Sequence, residues 1–263
     1  GKKLHPGEYL WYFRSVEIPE IRKGKRLLLH FGAVDERCII WWNGKLLGGH
    51  RGGYLSFTFD VTEQLHEGKN TVWIRVQDDT DEGLAARGKQ TLDPEGMFYT
   101  AVSGIWQTVW LEFTPQSHIR SVQYYPNTAD GSVTIKAVVE GEGTFYASAF
   151  YEGTECGSAM AETISGNVTV TIPLSEIHLW EAGAGRLYDL RLTFCEDKVS
   201  SYFGLREVKL DGYRFLINGK SVFQRLILDQ GFYPDGIYTA PSDEALENDI
   251  RLSMAAGFNG ARL

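Results

Sequence analysis

From Tyr9 to about Thr114 the chain is a succession of short apolar runs cut by turn residues, with no helical period between them. Arg26–Phe31, Arg37–Trp42, Tyr54–Phe59, Asn70–Val76 and Ile105–Phe113 each read as a strand, with a new one beginning roughly every 10–15 positions. Asn43-Gly44 stands between Arg37–Trp42 and Lys45–Leu47, and that dipeptide suits the positive φ angles of a two-residue hairpin. Tyr54–Phe59 alternates large apolar with small polar residues, the mark of a half-buried strand. Pro115-Gln116-Ser117 marks a boundary, after which a second series follows: Ile119–Tyr124, Val133–Val139, Thr144–Phe150, Val168–Ile172 and Leu187–Phe194. Such a chain satisfies its backbone by pairing strands and closing sheets over a core, which predicts β-sandwiches.

Composition narrows the function classes. Hydrophobic residues are 43% and charged residues 23%, an ordinary globular balance, and the 13% of aromatics with 29 Gly against 8 Pro agree with β structure rich in turns. The net charge is -8 and the 26 Lys and Arg form no long run, so neither nucleic acid nor an anionic membrane surface is a suitable partner. No apolar stretch reaches the roughly 18–20 residues of a helical membrane span. Gly1–Glu8 reads as a cut or processed end. Cys38, Cys156 and Cys195 are far apart with no C-x-x-C pair and read as buried thiols, and the six His show no metal-ligand spacing. Trp42, Trp73 and Trp110 read as core residues; Trp11, Trp41 and Trp106 are not assigned by spacing.

After Glu207 the grammar changes. Tyr213–Ile217, Asn218-Gly219 and Ser221–Leu228 form a hairpin leading into an apolar strand, and a loop runs from Asp229 to Pro241. Ser242 is a good N-cap, and Asp243 and Glu244 meet the positive end of the helix dipole. Leu246, Ile250 and Met254 recur every fourth position up to Gly257, after which a further strand begins at Phe258. A single β-α-β unit exposes two sheet faces that require parallel neighbours and covering helices. The expectation is a piece of a longer protein, cut inside a parallel α/β domain, with exposed apolar surface promoting self-association or disorder.

Several segments together carry a family resemblance. They are Trp11-Tyr12-Phe13-Arg14, Leu29–Asp35, Trp42-Asn43-Gly44-Lys45, His50–Tyr54, Ser103–Leu111, Tyr202–Val208, Asn218–Phe223 with Arg225, and Gly257–Arg262. In this order they resemble glycoside hydrolase family 2, the β-galactosidase, β-glucuronidase and β-mannosidase group. The resemblance implies a mainly β chain in three parts: a jelly-roll sugar-binding sandwich over 1–116, an immunoglobulin-like β-sandwich over 117–206, and over 207–263 the first β-α-β piece of a truncated TIM barrel. It implies hydrolysis of β-linked glycosides with retention, by two barrel glutamates about 5 Å apart and without a metal or other cofactor. The family's acid/base follows an Asn, and no Asn-Glu pair occurs in this sequence. No catalytic residue is therefore expected within the chain, which should be inactive alone. The resemblance leaves open which sugar is cleaved, the compartment and homo-oligomerisation.

The same resemblance implies substrate-binding residues. Arg262 ends the second barrel strand, on the face where barrel active sites form, where a guanidinium fork orients the nucleophile carboxylate. Asp229 and Gln230 open the loop after the first barrel strand; many family members have a sugar-contacting His where this chain has Gln230. Phe232 or Tyr233 could stack on a pyranose, and turns at Pro234 and Asp235-Gly236 give the competing reading of a solvated loop. Asp78 and Asp79 match an acidic place on a loop that reaches the sugar, against the simpler reading of a solvated acidic cluster. From another class, a stand-alone carbohydrate-binding or adhesion module of two β-domains also fits residues 1–206; residues 207–263 discriminate between the two.

Overall fold

The computed structural model describes residues 4–164 and 166–263; Gly1–Lys3, the start of the segment read as a cut or processed end, lie outside the described residues. The chain divides into two compact units, residues 1–113 with 230–248 and residues 114–229 with 249–263.

In the first unit, seven strands form two sheets: β1 (Leu10–Ile18), β2 (Lys25–Phe31), β3 (Arg37–Trp42), β4 (Lys45–Arg51), β5 (Phe57–Asp60), β6 (Gly68–Gln77) and β7, which begins at Val109 and runs to Pro115. One sheet has the order β1-β6-β3-β4 and the other β7-β2-β5. Alternation along β2, β3 and β6 sends Leu27, Leu29, Phe31, Ile40, Trp42, Ile74 and Val76 inward, where they form one core. Burial pushes the Cys38 thiol on the same inner face up to about 11, which keeps it unreactive.

Asn43 and Gly44 both take positive φ, 49° and 78°, as the β3–β4 hairpin requires. Asn43 also ties the hairpin to β6. Its Nδ2 donates to Asn70 Oδ1 at 2.8 Å and its Oδ1 accepts from Thr71 N–H at 2.8 Å. Asn70 is fully buried and donates in turn to the carbonyls of His66 and Gly68, so a polar group in the interior is left satisfied.

The structure corrects several readings. Tyr54 and Leu55 precede β5, which holds only Phe57–Asp60. The run 105–113 is split: Gly104–Ile105 pairs with Val34–Asp35, and β7 starts afresh at Val109. Gly104 takes φ 94°, and a Cβ there would collide with the Tyr12 hydroxyl, to which Ile105 N–H donates at 3.1 Å. Of the three tryptophans read as core, only Trp42 is buried; Trp73 and Trp110 are 42% and 43% exposed. Trp73 sits between inward-facing Val72 and Ile74, so the pleat turns it outward.

The second unit holds a seven-stranded antiparallel sandwich, with the strand number and layering of an immunoglobulin-like domain. Its strands are β8 (His118–Asn127), β9 (Ser132–Glu140), β10 (Gly143–Tyr151), β11 (Thr154–Thr163), β12 (Gly166–Pro173), β13 (Tyr188–Phe194) and β14 (Asp197–Phe203). Sheet β8-β9-β12 faces sheet β11-β10-β13-β14 across Ile135, Phe145, Ile172, Tyr188, Leu190, Leu192 and Phe194. The buried Tyr188 hydroxyl donates to Glu176 O and accepts from His178 N–H, both at 2.7 Å. Strands β11 and β14 carry too few large apolar residues to be read from the sequence. Cys156 is buried as expected, but Cys195 is exposed at the β13–β14 turn with φ 53°.

Beyond the sandwich, Val208–Asp211 and Arg214–Ile217 form an antiparallel hairpin. Leu226–Leu228 then pairs parallel with Gly260–Arg262, and the helix Asp243–Ala255 lies between them in sequence. Ser242 Oγ accepts from Ala245 N–H at 3.3 Å, and Gly257 ends the helix with φ 88°. The β-α-β connection is present, but the parallel sheet has two strands and closes no barrel among the described residues. The stripe Leu246, Ile250 and Met254 is exposed, and no helix residue is buried.

Replacing Trp42 by Ala should lower the stability measured by urea unfolding by about 3–5 kcal/mol, and Trp73→Ala by less than about 1 kcal/mol. Equal losses would contradict the inward and outward assignment of the two rings.

Candidate functional site

The acidic loop after β6 sends its two adjacent carboxylates in different directions. Asp78 turns inward and is buried, accepting from Thr80 N–H at 2.8 Å and from the Ser103 hydroxyl. Asp79 stays near the surface, paired with Arg37 and accepting from Gln77 Nε2 at 3.1 Å. Neither is a loosely solvated acid.

Asp78 is one of three acids brought together here. Asp35 and Glu36 are each 4% exposed. Glu36 is held by Arg51 Nε at 3.0 Å and Arg37 Nε at 3.4 Å. Asp35 lies tight against the backbone at Gly53, where a Cβ would overlap its carboxyl group. Burial first, and then the charges of Asp78 and Glu36, push the Asp35 carboxyl up to about 7. Asp35, Asp78, Thr80, Arg87 and Gln90 line a cleft of about 220 Å³ including its open mouth. Asp81 nearby accepts from Leu92 N–H at 3.0 Å and Thr91 Oγ1 at 2.8 Å, bonds that hold its carboxyl below the usual range.

The segment that carries Gln230 belongs to the same unit and is fastened by aromatic rings. Phe232 stacks on Tyr99 with centroids 4.4 Å apart, and Tyr238 lies 5.0 Å from Trp106 and 4.9 Å from Phe232. Trp106 Nε1 donates to Gly53 O at 2.7 Å, and the Tyr54 hydroxyl takes part in hydrogen bonds with Tyr238 and Gln90. Phe232, which sequence offered as a stacking face for a sugar, is packed against protein. Gln230 is half-buried at the start of this anchored segment.

In the second unit the parallel strand pair brings Asp229 and Arg262 together. Asp229 N–H donates to Arg262 O at 3.0 Å, so both residues leave the C-terminal ends of their strands side by side. The Arg262 side chain is exposed and forms no ion pair among the described residues. Asn259 fixes the other end of the pair: its Oδ1 accepts from Arg225 N–H and its Nδ2 donates to Phe223 O, each at 2.9 Å. Among the described residues no group of three or more His, Cys, Asp and Glu is placed to hold a metal ion.

Comparison with known proteins places this architecture. Residues 6–115 match the model for glycosyl hydrolases family 2, sugar binding domain, and residues 117–206 match that for glycosyl hydrolases family 2. The chain belongs to glycosyl hydrolase family 2. It is 26% identical over 268 residues to a putative β-glucuronidase of Formosa agariphila, an alignment covering 96% of this chain and 32% of that protein. It is 27% identical over 228 residues to a β-galactosidase of Thermoanaerobacter pseudethanolicus, covering 80% of this chain and 30% of the relative. Its fold is similar to a putative β-galactosidase of Bacteroides fragilis, with TM-score 0.79 and 22% identity, over 99% of this chain and 43% of the other. A β-glucuronidase of Ruminococcus gnavus gives TM-score 0.82 and 18% identity, over 97% and 45% respectively. The family 2 chain thus spans about a third of these curated relatives and under half of these solved structures.

Sequence reasoning missed Asp35 and Asn259. A signal for the first was present: Asp35-Glu36 places two acids inside the apolar run from Leu27 to Trp42, where unpaired charge is costly. Gln90 is buried, and its Oε1 accepts from Val102 N–H at 2.6 Å.

The Asp35 carboxyl gives the family 2 chain a pH signature. The native state keeps this proton up to about pH 7, whereas the unfolded chain releases it near 3.8. Between those values unfolding releases a proton, so the Asp35 contribution to stability falls as pH rises from about 4 to about 7. Asp35→Asn should remove that contribution, leaving a melting temperature that declines less than the wild type's over this range. Identical pH slopes for the two proteins would contradict the assignment.

Proposed function

We propose that this chain is the accessory portion of a retaining hydrolase of β-linked glycosides, with its two catalytic glutamates outside residues 1–263. The observation that carries the reading is the order of parts: two family 2 matches in series, then a parallel strand pair with Asp229 and Arg262 at its C-terminal ends. In a TIM barrel that end of the strands forms the active site. We assign residues 1–116 to a jelly-roll sugar-binding domain, 117–206 to an immunoglobulin-like domain and 207–263 to the opening of the barrel.

In this reading Arg262 orients the nucleophile carboxylate and keeps it ionised through a fixed guanidinium fork. Asp229 and Gln230 hydrogen-bond sugar hydroxyls. The aromatic anchor formed by Tyr99, Trp106, Phe232 and Tyr238 sets where the Gln230 segment runs. Asp78, by contrast, serves the loop's internal structure, because both its carboxylate oxygens already accept bonds from Thr80 and Ser103.

The purified 263-residue chain should show no turnover of chromogenic β-galactosides or β-glucuronides. The chain extended through the rest of its native reading frame should hydrolyse at least one of them, and Arg262→Ala in that protein should lower kcat/KM by about 100-fold or more. Turnover by the 263-residue chain alone would overturn the proposal.

A further inference from the structure

The outer face of sheet β1-β6-β3-β4 carries an unusual set of side chains. Strand register sets them in two adjacent rows: Phe13, Trp73, Trp41 and Leu46 in one, and Trp11, Arg75, Ile39 and Gly49 in the next. Trp11, Phe13 and Trp73 are 52%, 53% and 42% exposed, and Tyr9, just before β1, is 49% exposed. Trp11 stacks on Trp41 at 5.7 Å and meets Trp73 edge-on at 6.4 Å, while Phe13 lies 4.6 Å from Trp73. The rings therefore hold one another in place and form a continuous rigid surface across three strands. With strands about 4.8 Å apart, the four-strand face is about 14 Å across, the reach of a short oligosaccharide.

Arg75 supplies the charge. Its guanidinium lies 4.8 Å from the Tyr9 ring and 6.0 Å from the Trp11 ring. It forms no ion pair among the described residues, although Arg37 and Arg51 further along the same face are both paired with acids. Neither row contains a carboxylate. A cation held against aromatic rings, with its N–H donors available, is complementary to an anionic ligand that is otherwise apolar and flat.

We propose that this face is a binding platform for a carboxylate-bearing pyranose chain, with sugar rings stacked on Trp11, Trp41 and Trp73 and a uronate carboxylate paired with Arg75. Pyranose rings present flat C–H faces to indoles, and a carboxylate takes the guanidinium fork bidentately. The sugar-binding match over residues 6–115 agrees with this ligand class and assigns it no position. Two copies of the chain packed face to face about Arg75 would set like charges together with no acid in either row to meet them, so a second copy fits less well. The proposal does not rest on the hydrolytic reading, because binding here needs no barrel.

Titration calorimetry of the 263-residue chain tests it with two probes. One is a hexasaccharide of alternating β-linked glucuronate and N-acetylglucosamine; the other is neutral cellohexaose. The acidic probe should bind at least about tenfold more tightly than the neutral one. Trp11→Ala with Trp73→Ala should weaken both by about tenfold or more. Arg75→Gln leaves every ring in place and should bring the acidic probe down to the neutral affinity, so it carries the test if the double variant does not fold. No saturable binding of either probe would overturn the proposal, as would equal affinities for the two or indifference to these changes. A dimer in sedimentation that Trp73→Ala dissociates would reassign the face to a contact between copies.

Discussion

A β-strand can turn only every second side chain into a core, and this constraint governs both what the chain buries and what it displays. Trp41 and Trp42 are neighbours in sequence and differ by nothing but phase. Trp42 is fully buried, while Trp41 joins the stacked rings on the outer surface. The same pleat buries Val72, Ile74 and Val76 and leaves Trp73 and Arg75 outside. Core and outer platform are thus two readings of one alternating pattern, and a shift of one residue in register would exchange them.

The loops at the end of the first sandwich follow a different rule: their polar groups are drawn inward and must be paired there. Asp78 meets Ser103 and Thr80, Gln90 meets Val102 and Tyr54, and Glu36 meets two arginines. Asp35 is the exception. It is buried next to two other carboxyl groups, and holding a proton near neutrality resolves the conflict. Gly53 permits the close approach, and its carbonyl anchors Trp106, which packs against Tyr238. The buried acids and the aromatic clasp on residues 230–241 therefore share one backbone segment, and neither can shift far without the other.

Much of this was legible in the sequence, for definable reasons. The Asn43-Gly44 and Asn218-Gly219 turns, the Ser242 cap and the Gly257 stop depend on local backbone preferences and appear where expected. Strands β2, β3, β6, β9, β12 and β13 show clear alternation. Strand β11 was missed because small and acidic residues fill much of it, and run 105–113 was misjudged because the break depends on Tyr12, more than 90 positions away in the chain. The candidate site was only partly legible for the same reason. Asp229 and Arg262 follow from strand ends, whereas the separate fates of Asp78 and Asp79 depend on Ser103 and Arg37, which sequence spacing does not bring near.

The parallel pair at 226–228 and 260–262 obeys a stricter condition than either sandwich. An antiparallel sandwich covers one face of each sheet with the other sheet, and its outer faces tolerate water. A parallel sheet built by helical crossovers is covered on both faces, so its strands read as apolar throughout. Leu226-Ile227-Leu228 has that character, and Leu226 and Leu228 are 42% and 51% exposed. The crossover helix likewise presents Leu246, Ile250, Leu252 and Met254 to solvent. Such side chains lower the free energy of a fold only when neighbouring strands and helices remove them from water. Their exposure distinguishes them from the Trp11–Trp41–Trp73 face, where rings lie flat against one another around a cation on an antiparallel sheet complete in itself.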